Sequence, residues 1–415
     1  MNRDVRMKGF SQRAPVAEAL DWLAKVEIPT RTETAVLNEL AGRVLARDVT
    51  SEVNVPGFRR SMMDGYAVIA AEVLGANAYN PIPLSIVHEV LPGQSCPVDI
   101  RPGETVRVMT GAEVPATANA VVPVEQAETQ PDDKPVSILS SIAEQKNVAR
   151  PGEDIQLGET VLRKGRRLRP QDAGLLSSIG VNGVEVFSRP RVRIIVTGNE
   201  LLPAGHKPRG VQVVDSNSIM LEALVQRDGG DPDFPGILPD DKKAIQEAMQ
   251  DPSDVLLVAG GSSTGKEDFA PGIIAEFGEL SIHGIAMRPS SPAGMGRFDQ
   301  RPVFLLPGNP VSCLCAYDFF ARYLIRKMAG LDPGWPYQKT RLPLREKISS
   351  AIGRTDYARV RIVDNEVEPI AISGASILSS TIKADGFCIL PQDSEGFPAG
   401  HEIEVFLYEW SGQPS

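Results

Sequence analysis

The chain is poor in the residues that build disulfide frameworks and transition-metal cages. Its 415 residues include four histidines and four cysteines, Cys96, Cys313, Cys315 and Cys388. No cysteine spacing matches a zinc site or a disulfide framework, and no histidine lies near a cysteine or a second histidine in sequence. Cys313 and Cys315 fall in an apolar helical run, so we expect them to pack in a core. The sequence therefore argues against a transition-metal cage.

Long apolar runs and an excess of positive charge are also absent. No stretch reaches the roughly 18 apolar residues that a membrane-spanning helix needs, and the first ten residues contain no apolar signal-peptide segment. Lys and Arg number 43 against 53 Asp and Glu, a net charge of −10. This balance argues against a nucleic-acid partner, because clustered Lys and Arg bind phosphate backbones. We expect a protein of the reducing cytoplasm with no membrane partner.

The pattern of apolar, Pro and Gly residues changes along the first half of the sequence. Residues 14–26 place apolar side chains on one helical face, and a second helix is predicted over about 35–46. From about 54 to 144 short alternating runs and frequent Pro and Gly predict a small β domain. Pro170 then marks the start of another helix.

The second half alternates between strands and helices. Strands are predicted at 191–196, 254–259 and 303–306, and helices at 217–227, 240–250, 271–278 and 311–330. Because the strands are almost entirely apolar, this alternation indicates a Rossmann-like α/β domain with a parallel sheet covered on both faces. From about 336 the short alternating runs predict a small β-barrel or sandwich.

Each of the three predicted strands ends in an unusual loop. The loops are 197–200, 260–268 and 307–310. Ligands of open parallel sheets bind beyond the carboxyl ends of the strands, so we expect the loops to converge. Their glycines let backbone N–H groups approach a phosphate. The loop at 307–310 runs directly into a helix, and the helix dipole there favours an anion.

Polar side chains in these loops suggest anion and cation binding. Ser262, Ser263, Thr264 and Ser312 add hydroxyl donors, whereas Glu200, Asp240 and Asp268 could hold Mg²⁺, which favours oxygen ligands. Plainer interpretations stay open. The glycine-rich loop matches neither the dinucleotide fingerprint nor the P-loop, and it could be an ordinary connection. Glu200 could be a solvated acid, and Asp240 alone is better explained as a helix N-cap.

The most informative segment is residues 54–68. Asp64 and Gly65 form a turn dipeptide that would hold a carboxylate near solvent, as ligand or metal binding requires, although an ordinary hairpin has the same dipeptide. The string from Pro56 to Ala67 resembles the Pro-x-x-x-x-Ser-x-Met-Asp-Gly-Tyr-Ala signature of molybdopterin molybdenumtransferases, the family of the gephyrin E domain. Further segments resemble motifs of that family in the same order: 109–115, 150–155, 197–201, 214–217, 260–268, 306–312, 353–354 and 384–386.

The resemblance implies a domain architecture and an assembly. An elongated, mixed helical N-terminal domain would comprise residues 1–53 and 145–185, interrupted by the inserted β domain at 54–144 with the Met-Asp-Gly-Tyr motif. A Rossmann-like molybdopterin-binding domain would follow at 186–335, and a C-terminal β domain, barrel-like in form, at 336–415. The family forms homodimers, in which the Asp64 domain of one subunit faces the α/β domain of the other.

The resemblance also implies a reaction and its residues. Molybdate would be inserted into adenylylated molybdopterin with release of AMP, in the presence of Mg²⁺. The implied catalytic residues are Asp64, Thr110, Glu200, Asp240 and Asp268, of which the last three would hold the metal. The implied binding residues are Gly260, Gly261, Ser262, Gly265, Arg288, Ser291, Pro307, Gly308, Asn309, Pro310, Ser312, Arg354 and Arg359. A molybdopterin adenylyltransferase and recipient molybdoenzymes would be protein partners.

Several residues depart from the family pattern. The chain has Arg288-Pro-Ser-Ser-Pro292 where the family usually has Lys-Pro-Gly-Lys-Pro. The change to Ser291 removes a positive charge, and one close cation contributes on the order of 1–3 kcal/mol to oxyanion binding. Asn199 and Asn119 stand where the family has aspartates. These changes keep two alternatives open: a relative that binds pterin or nucleotide as a non-catalytic scaffold, or one that prefers tungstate. A molybdopterin adenylyltransferase is a third alternative, and the β domains argue against it.

Overall fold

The chain forms two separately packed units, which the computed structural model describes over residues 13–129, 135–261, 268–371 and 374–408. The large unit comprises Met1–Glu33, Gly42–Ala46 and Glu185–Ser415, and the small unit comprises Thr34–Ala41 and Arg47–Val184. The chain passes between them within two paired strands, Thr32–Val36 and Gly183–Phe187. The finer division into four domains stays a prediction.

The small unit is built on a six-stranded sheet. In spatial order its strands are Ala120–Pro123, Gly65–Val68, Glu104–Val108, Ile82–Val90, Val136–Ile138 and Ala127–Thr129. The remaining strands are Val49–Thr50, Arg60–Ser61, Val148–Ala149 and Thr160–Leu162, beside one helix, Pro170–Ser178, and three 3₁₀ turns, Leu37–Glu39, Ala70–Val73 and Val124–Gln126. Successive strand residues point to opposite faces, and Tyr66 and Ala67 enter different buried clusters. The strand that follows Asp64 is therefore buried on both faces.

The helix predicted over about 35–46 does not form. The chain instead has the strand Thr32–Val36 and the short 3₁₀ turn Leu37–Glu39. Threonine and valine favour strands because their branched side chains restrict helical rotamers. Gly42, at φ +83°, then adopts a left-handed conformation that a continuous helix cannot contain. The apolar spacing resembled a helical face, but local backbone preference decided the outcome.

The large unit contains a seven-stranded sheet. Its main order is Asp231–Asp233, Arg191–Thr197, Val255–Ala259, Arg301–Leu306, Gly294–Phe298 and Gly278–His283, with Ile237–Leu238 paired to Arg191–Thr197. The prediction of a parallel sheet is right for the strands up to Arg301–Leu306 and wrong for the edge, where the last two strands run antiparallel. Residues 278–298 carry a weak apolar pattern rich in glycine, so periodicity did not reveal this edge hairpin.

Helices cover this sheet. Those of the large unit are Val16–Lys25, Asn217–Arg227, Lys242–Gln250, Ala270–Phe277, Pro310–Ala316, Arg322–Met328 and Ser379–Ile382, with a π-helical segment at Tyr317–Ala321. The side chains of Ile194 and Ile195 enter different apolar clusters, so both faces of the sheet are buried. The helix Val16–Lys25 packs into the Ile194 cluster, whereas the sequence had assigned it to the N-terminal domain. Cys313 and Cys315 are buried there as expected.

A second, six-stranded sheet lies in the C-terminal part of the large unit. Its order is Met287–Arg288, Thr355–Val363, Gly386–Leu390, Glu402–Leu407 and Gln338–Pro343, with Glu366–Ala371 paired to Thr355–Val363. The other short strands are Leu201–Leu202, Val213–Val214, Ile348–Ser349 and Gly396–Phe397. The ring of Phe387 stacks on Tyr357 at 4.2 Å and on Phe406 at 4.9 Å between centroids. The barrel-like form of this part stays a prediction. Among the described helices, none has the length and apolar character needed to cross a membrane.

We expect Asp172→Asn to destabilise the small unit by about 1–3 kcal/mol, the usual range for a charge-assisted hydrogen bond. Burial raises the pKa of Asp172, but hydrogen bonds from Arg169 and Arg166 outweigh it and hold the pKa well below its usual range. The stabilisation is therefore full above pH 4–5 and is lost as the pH falls further. Urea unfolding of both proteins from pH 7 to pH 2 checks this, and a stability difference independent of pH would contradict it.

Candidate functional site

The three strand-end loops converge where the structure describes them. Val196, Ala259 and Leu306 lie side by side in register across the sheet. The N–H of Gly260 donates to the carbonyl of Leu306 at 3.4 Å. A Cβ atom added to Gly260, which has φ +92°, would lie 2.5 Å from the carbonyl oxygen of Thr197. Ser262 and Gly265 lie outside the described residues, as do Ser263 and Thr264.

The acidic loops meet at the same edge of the sheet. The N–H of Asn199 donates to Asp240 Oδ2 at 3.0 Å, and the N–H of Asp240 donates to Asn199 Oδ1 at 3.3 Å. Asp240 is not the helix N-cap. Asp241 holds that position, since its Oδ1 accepts from the N–H of Ala244 at 2.9 Å and the helix begins at Lys242. The Asp240 carboxylate therefore accepts a hydrogen bond from the loop at 197–200, and Asn199 has a structural role as its partner.

The cation-binding residues stay predictions. Glu200 is exposed and Asp268 is half-buried. In the described ranges, no three His, Cys, Asp or Glu side chains come together as a metal-binding group. Mg²⁺ usually takes one or two carboxylates and completes its shell with water and substrate oxygens, so the carboxylates of Glu200 and Asp240 suit it chemically. Thr197 Oγ1, at the same edge, is a buried hydroxyl with no partner in the described part of the chain.

The helix that begins at Pro310 does not offer free donors. The N–H groups of Val311 and Ser312 both donate to the carbonyl oxygen of Ala375, at 3.0 and 3.3 Å. We expected these groups to face an anion, but a main-chain carbonyl from the C-terminal part already takes them. The loop ahead of the helix is fixed from the other side, where Asn217 Nδ2 donates to the carbonyl of Gly308 at 2.8 Å. An anion bound beside this helix would therefore have to be recognised by side chains.

A cavity of about 750 Å³ lies beside this helix, entirely within the large unit. The predicted binding residues that line it are Arg288, Ser291, Pro307, Asn309, Ser312 and Arg354. Arg13 and the exposed Ile352 also line it, and neither was predicted. The cavity thus gathers residues from the N-terminal segment, the α/β sheet and the C-terminal sheet.

Two of the cavity arginines share one buried carboxylate. Arg288 binds Asp356 through both its Nε and Nη2 atoms, with the Nε bond at 3.0 Å. Arg354 Nε lies 3.3 Å from Asp356 Oδ1, and Ser350 Oγ donates to Oδ2 at 2.7 Å. Asp356 is fully buried and holds Arg288 by a two-point hydrogen bond, whereas Arg354 is linked to it by the ion pair alone, since Arg354 Nε has no hydrogen-bond partner among the described residues. Sequence reasoning missed Asp356 because a single aspartate in a strand carries no motif signal.

The serine pair at 290–291 has a definite structural role. Ser290 adopts φ +87°, a conformation that favours glycine, and its Oγ donates to the carbonyl of Ser312 at 2.5 Å. Ser291 is one of the residues that line the cavity, and its Oγ is buried with no hydrogen-bond partner among the described residues. The position where the sequence lacks the expected positive charge therefore carries an unpaired hydroxyl.

Arg359 is placed differently from the other predicted binding residues. It lies in the middle of the strand Thr355–Val363 and is fully buried. Among the described residues that line the cavity it does not appear. Its predicted anion contact has no support from this placement.

The small unit holds the other predicted catalytic pair. Asp64 Oδ1 accepts hydrogen bonds from the N–H and the Oγ1 of Thr110, both at 2.7 Å. These two bonds, the backbone one first, lower the pKa of Asp64. A cavity of about 620 Å³ in this unit is lined by Thr110, Arg60, Glu153 and Asp154. Arg60, Glu153 and Asp154 had no predicted role, although the motifs at 54–68 and 150–155 contain them.

Comparison with known families accounts for this arrangement. The family model of the MoeA N-terminal region, domains I and II, matches residues 14–180. The model described as "Probable molybdopterin binding domain" matches residues 193–327, and that of the MoeA C-terminal region, domain IV, matches residues 341–408. These matches define a protein of molybdopterin biosynthesis.

The chain belongs to the MoeA family. It is 34% identical over 383 residues to a molybdopterin biosynthesis protein of Methanocaldococcus jannaschii, covering 89% of this chain and 90% of that protein. It is 30% identical to the molybdopterin molybdenumtransferase of Bacillus subtilis, over 95% of this chain and 94% of that protein. The crystal structure of the molybdopterin biosynthesis MoeA protein from Pyrococcus horikosii superposes with a TM-score of 0.82 and 31% identity, covering 96% of this chain and 100% of that one. Residues 54–68 therefore identified the family correctly.

Gly260→Ala should destabilise the large unit by at least about 1–2 kcal/mol, the cost of a left-handed conformation for a residue with a Cβ. The added methyl group would also contact the Thr197 carbonyl. Gly308→Ala is the matched control, because its Cβ would lie 3.7 Å from the nearest atom, an ordinary contact distance. Urea unfolding of both variants checks the difference, and equal stabilities would contradict it.

Thr110→Val should raise the pKa of Asp64 part of the way towards its usual value. The substitution removes the hydroxyl donor and keeps the backbone donor, which is the larger cause of the shift. Titration of the Asp64 side-chain carbon signal by NMR measures the change. Thr160→Val is the control, since that hydroxyl lies against Thr50 and not against Asp64. An unchanged Asp64 pKa in Thr110→Val would show that the hydroxyl bond does not form in solution.

Proposed function

We propose that this protein inserts molybdate into adenylylated molybdopterin and releases AMP, which completes molybdenum cofactor synthesis. One observation carries the proposal: an arginine-lined cavity lies in the same unit as the sheet edge that bears Glu200 and Asp240. Membership of the MoeA family and the names of its relatives support the same reaction. The substrates are a dianionic oxyanion and a pterin nucleotide, both of which need cationic and hydrogen-bonding groups.

The cavity residues would bind the oxyanion and the pterin end of the substrate. Asp356 orients Arg288 through two hydrogen bonds and forms an ion pair with Arg354, so both charges are at the cavity before substrate arrives. The side chains of Ser291 and Asn309, which also line the cavity, would add neutral hydrogen-bonding groups. Substrate binding would displace water from the cavity. The positive charge already present there would then stabilise negative charge that develops during the reaction.

The carboxylates at the sheet edge would act on the nucleotide. Glu200, Asp240 and Asp268 are the proposed ligands of Mg²⁺, which when bound offsets charge on the phosphoanhydride. Gly260 and Gly261 leave room for the phosphates to approach the backbone. Asp64 and Thr110 are the remaining proposed catalytic residues, acting in a homodimer. Their hydrogen bonds keep the Asp64 carboxylate ionised and oriented at neutral pH.

A single observation, the serine at position 291, favours two alternatives. Ser291 stands where the family usually has lysine, so the oxyanion pocket carries less positive charge than the family pattern predicts. This favours either a tungstate preference or a pterin-binding scaffold without turnover. The adenylyltransferase alternative is weaker, because the family matches extend to residues 14–180 and 341–408, beyond the single α/β domain.

The deciding experiment measures AMP release by the purified protein with adenylylated molybdopterin, Mg²⁺ and molybdate. We expect turnover, its loss in EDTA, and at least an approximately 100-fold decrease for Asp64→Asn and Glu200→Gln, as is typical for acid–base groups. Glu144→Gln, an exposed acid of the small unit, is the control and should keep full activity.

Tight substrate binding without AMP release would contradict the proposal and favour the scaffold. A parallel series with tungstate in place of molybdate tests the metal preference, since higher kcat/KM with tungstate would establish the metal-shifted alternative. A cytoplasmic location, a molybdopterin adenylyltransferase as supplier and recipient molybdoenzymes remain parts of the proposal.

A further inference from the structure

We infer that Arg13 is a substrate-binding residue of the large-unit cavity and provides the positive charge that position 291 lacks. The ligand class is a tetrahedral dianion, molybdate or tungstate, and in that respect the inference rests on the proposed function. Arg13 belongs to none of the sequence motifs, and only the tertiary structure brings it to the cavity.

The residue that follows Arg13 is fixed beside the cavity lining. The next residue, Ala14, forms an isolated parallel bridge with Ile285. The N–H of Ala14 donates to the carbonyl of Gly284 at 3.0 Å, and the N–H of Ala286 donates to the carbonyl of Ala14 at 2.8 Å. The helix that follows buries Val16 in the core of the sheet. The chain is therefore anchored immediately after Arg13, against Gly284–Ala286, and the N–H of Ile285 in turn donates to the carbonyl of Ser291 at 2.9 Å.

The charges around the cavity favour a role for Arg13. Its lining contains three arginines, Arg13, Arg288 and Arg354. One buried carboxylate, Asp356, contacts Arg288 and Arg354 and offsets one of their charges. With Arg13 the set has two net positive charges, which matches a dianion, and without it only one remains. Arg13 is exposed, and no described residue forms an ion pair with it.

The other recognition groups of the cavity cannot replace this charge. The helix N–H groups of Val311 and Ser312 are used by Ala375. Ser291 Oγ can donate a hydrogen bond but carries no charge. Hydrogen bonds in which the donor is ionised are about twice as strong as neutral ones. The charge of Arg13 thus determines whether the cavity binds a dianion with high or low affinity.

The test measures binding of molybdate alone by isothermal titration calorimetry. We expect Arg13→Gln to raise Kd at least about 10-fold, in line with the loss of one charge-assisted contact. In the AMP-release assay the same variant should raise KM for molybdate and leave kcat near the wild-type value. Arg209→Gln, an exposed arginine elsewhere in the large unit, is the control and should bind as the wild type does.

A second variant tests the charge argument directly. Ser291→Lys placed in the Arg13→Gln background should restore molybdate affinity to within a few-fold of the wild type, because the new ammonium group enters the same cavity. Unchanged binding in Arg13→Gln, no restoration by Ser291→Lys, or no molybdate binding by the wild type would each overturn the inference. Arg13-dependent binding in a protein that releases no AMP would support the inference and refute the proposed turnover.

Discussion

The cavity depends on one buried carboxylate. Asp356 is fully buried and accepts a two-point contact from Arg288, a hydroxyl hydrogen bond from Ser350 and an ion pair from Arg354. The backbone reinforces it, because Met287 and Arg288 pair in parallel with Thr355 and Asp356. A buried charge that loses one partner typically costs about 3–5 kcal/mol, so this group must stay paired. Asp356 thereby fixes Met287–Arg288, which continues from the α/β segment, to the neighbouring strand of the C-terminal sheet and lies against two arginines.

A second buried network secures the same junction from another side. Asp228 and Asp318 are fully buried, and Arg227 forms ion pairs with both, at 2.7 and 3.0 Å. Tyr337, which begins the C-terminal part, donates to Asp318 Oδ2 at 2.7 Å. Burial raises the pKa of Asp318, and the coulombic effect of Arg227 opposes it. Asp318 lies in the π-helical segment Tyr317–Ala321, a type of helix that is rare and is found frequently at functional sites.

Much of the site could be predicted from local sequence. The motif around Asp64 identified the family, and the strand-end loops at Gly260 and Pro307 were placed correctly because parallel strands bring their carboxyl ends to one edge. Local patterns failed where a distant group decided the outcome. The helix N-terminus at Val311 looked free for an anion, yet the carbonyl of Ala375 occupies it. Asp240 looked like a helix cap, and its neighbour Asp241 has that role.

The sequence alone determined the family, the buried strands and the kinds of chemical groups at their ends. Those features depend on residue type and spacing within short segments, and elementary stereochemistry fixes them. The tertiary structure alone decided which charges share a cavity. Arg13, Arg288 and Arg354 are separated by more than 60 residues at the closest, and the pairing of Met287–Arg288 with Thr355 and Asp356 brings two of them together. Electrostatic interaction depends on distance in space, so no local reading of the chain could have assembled that set.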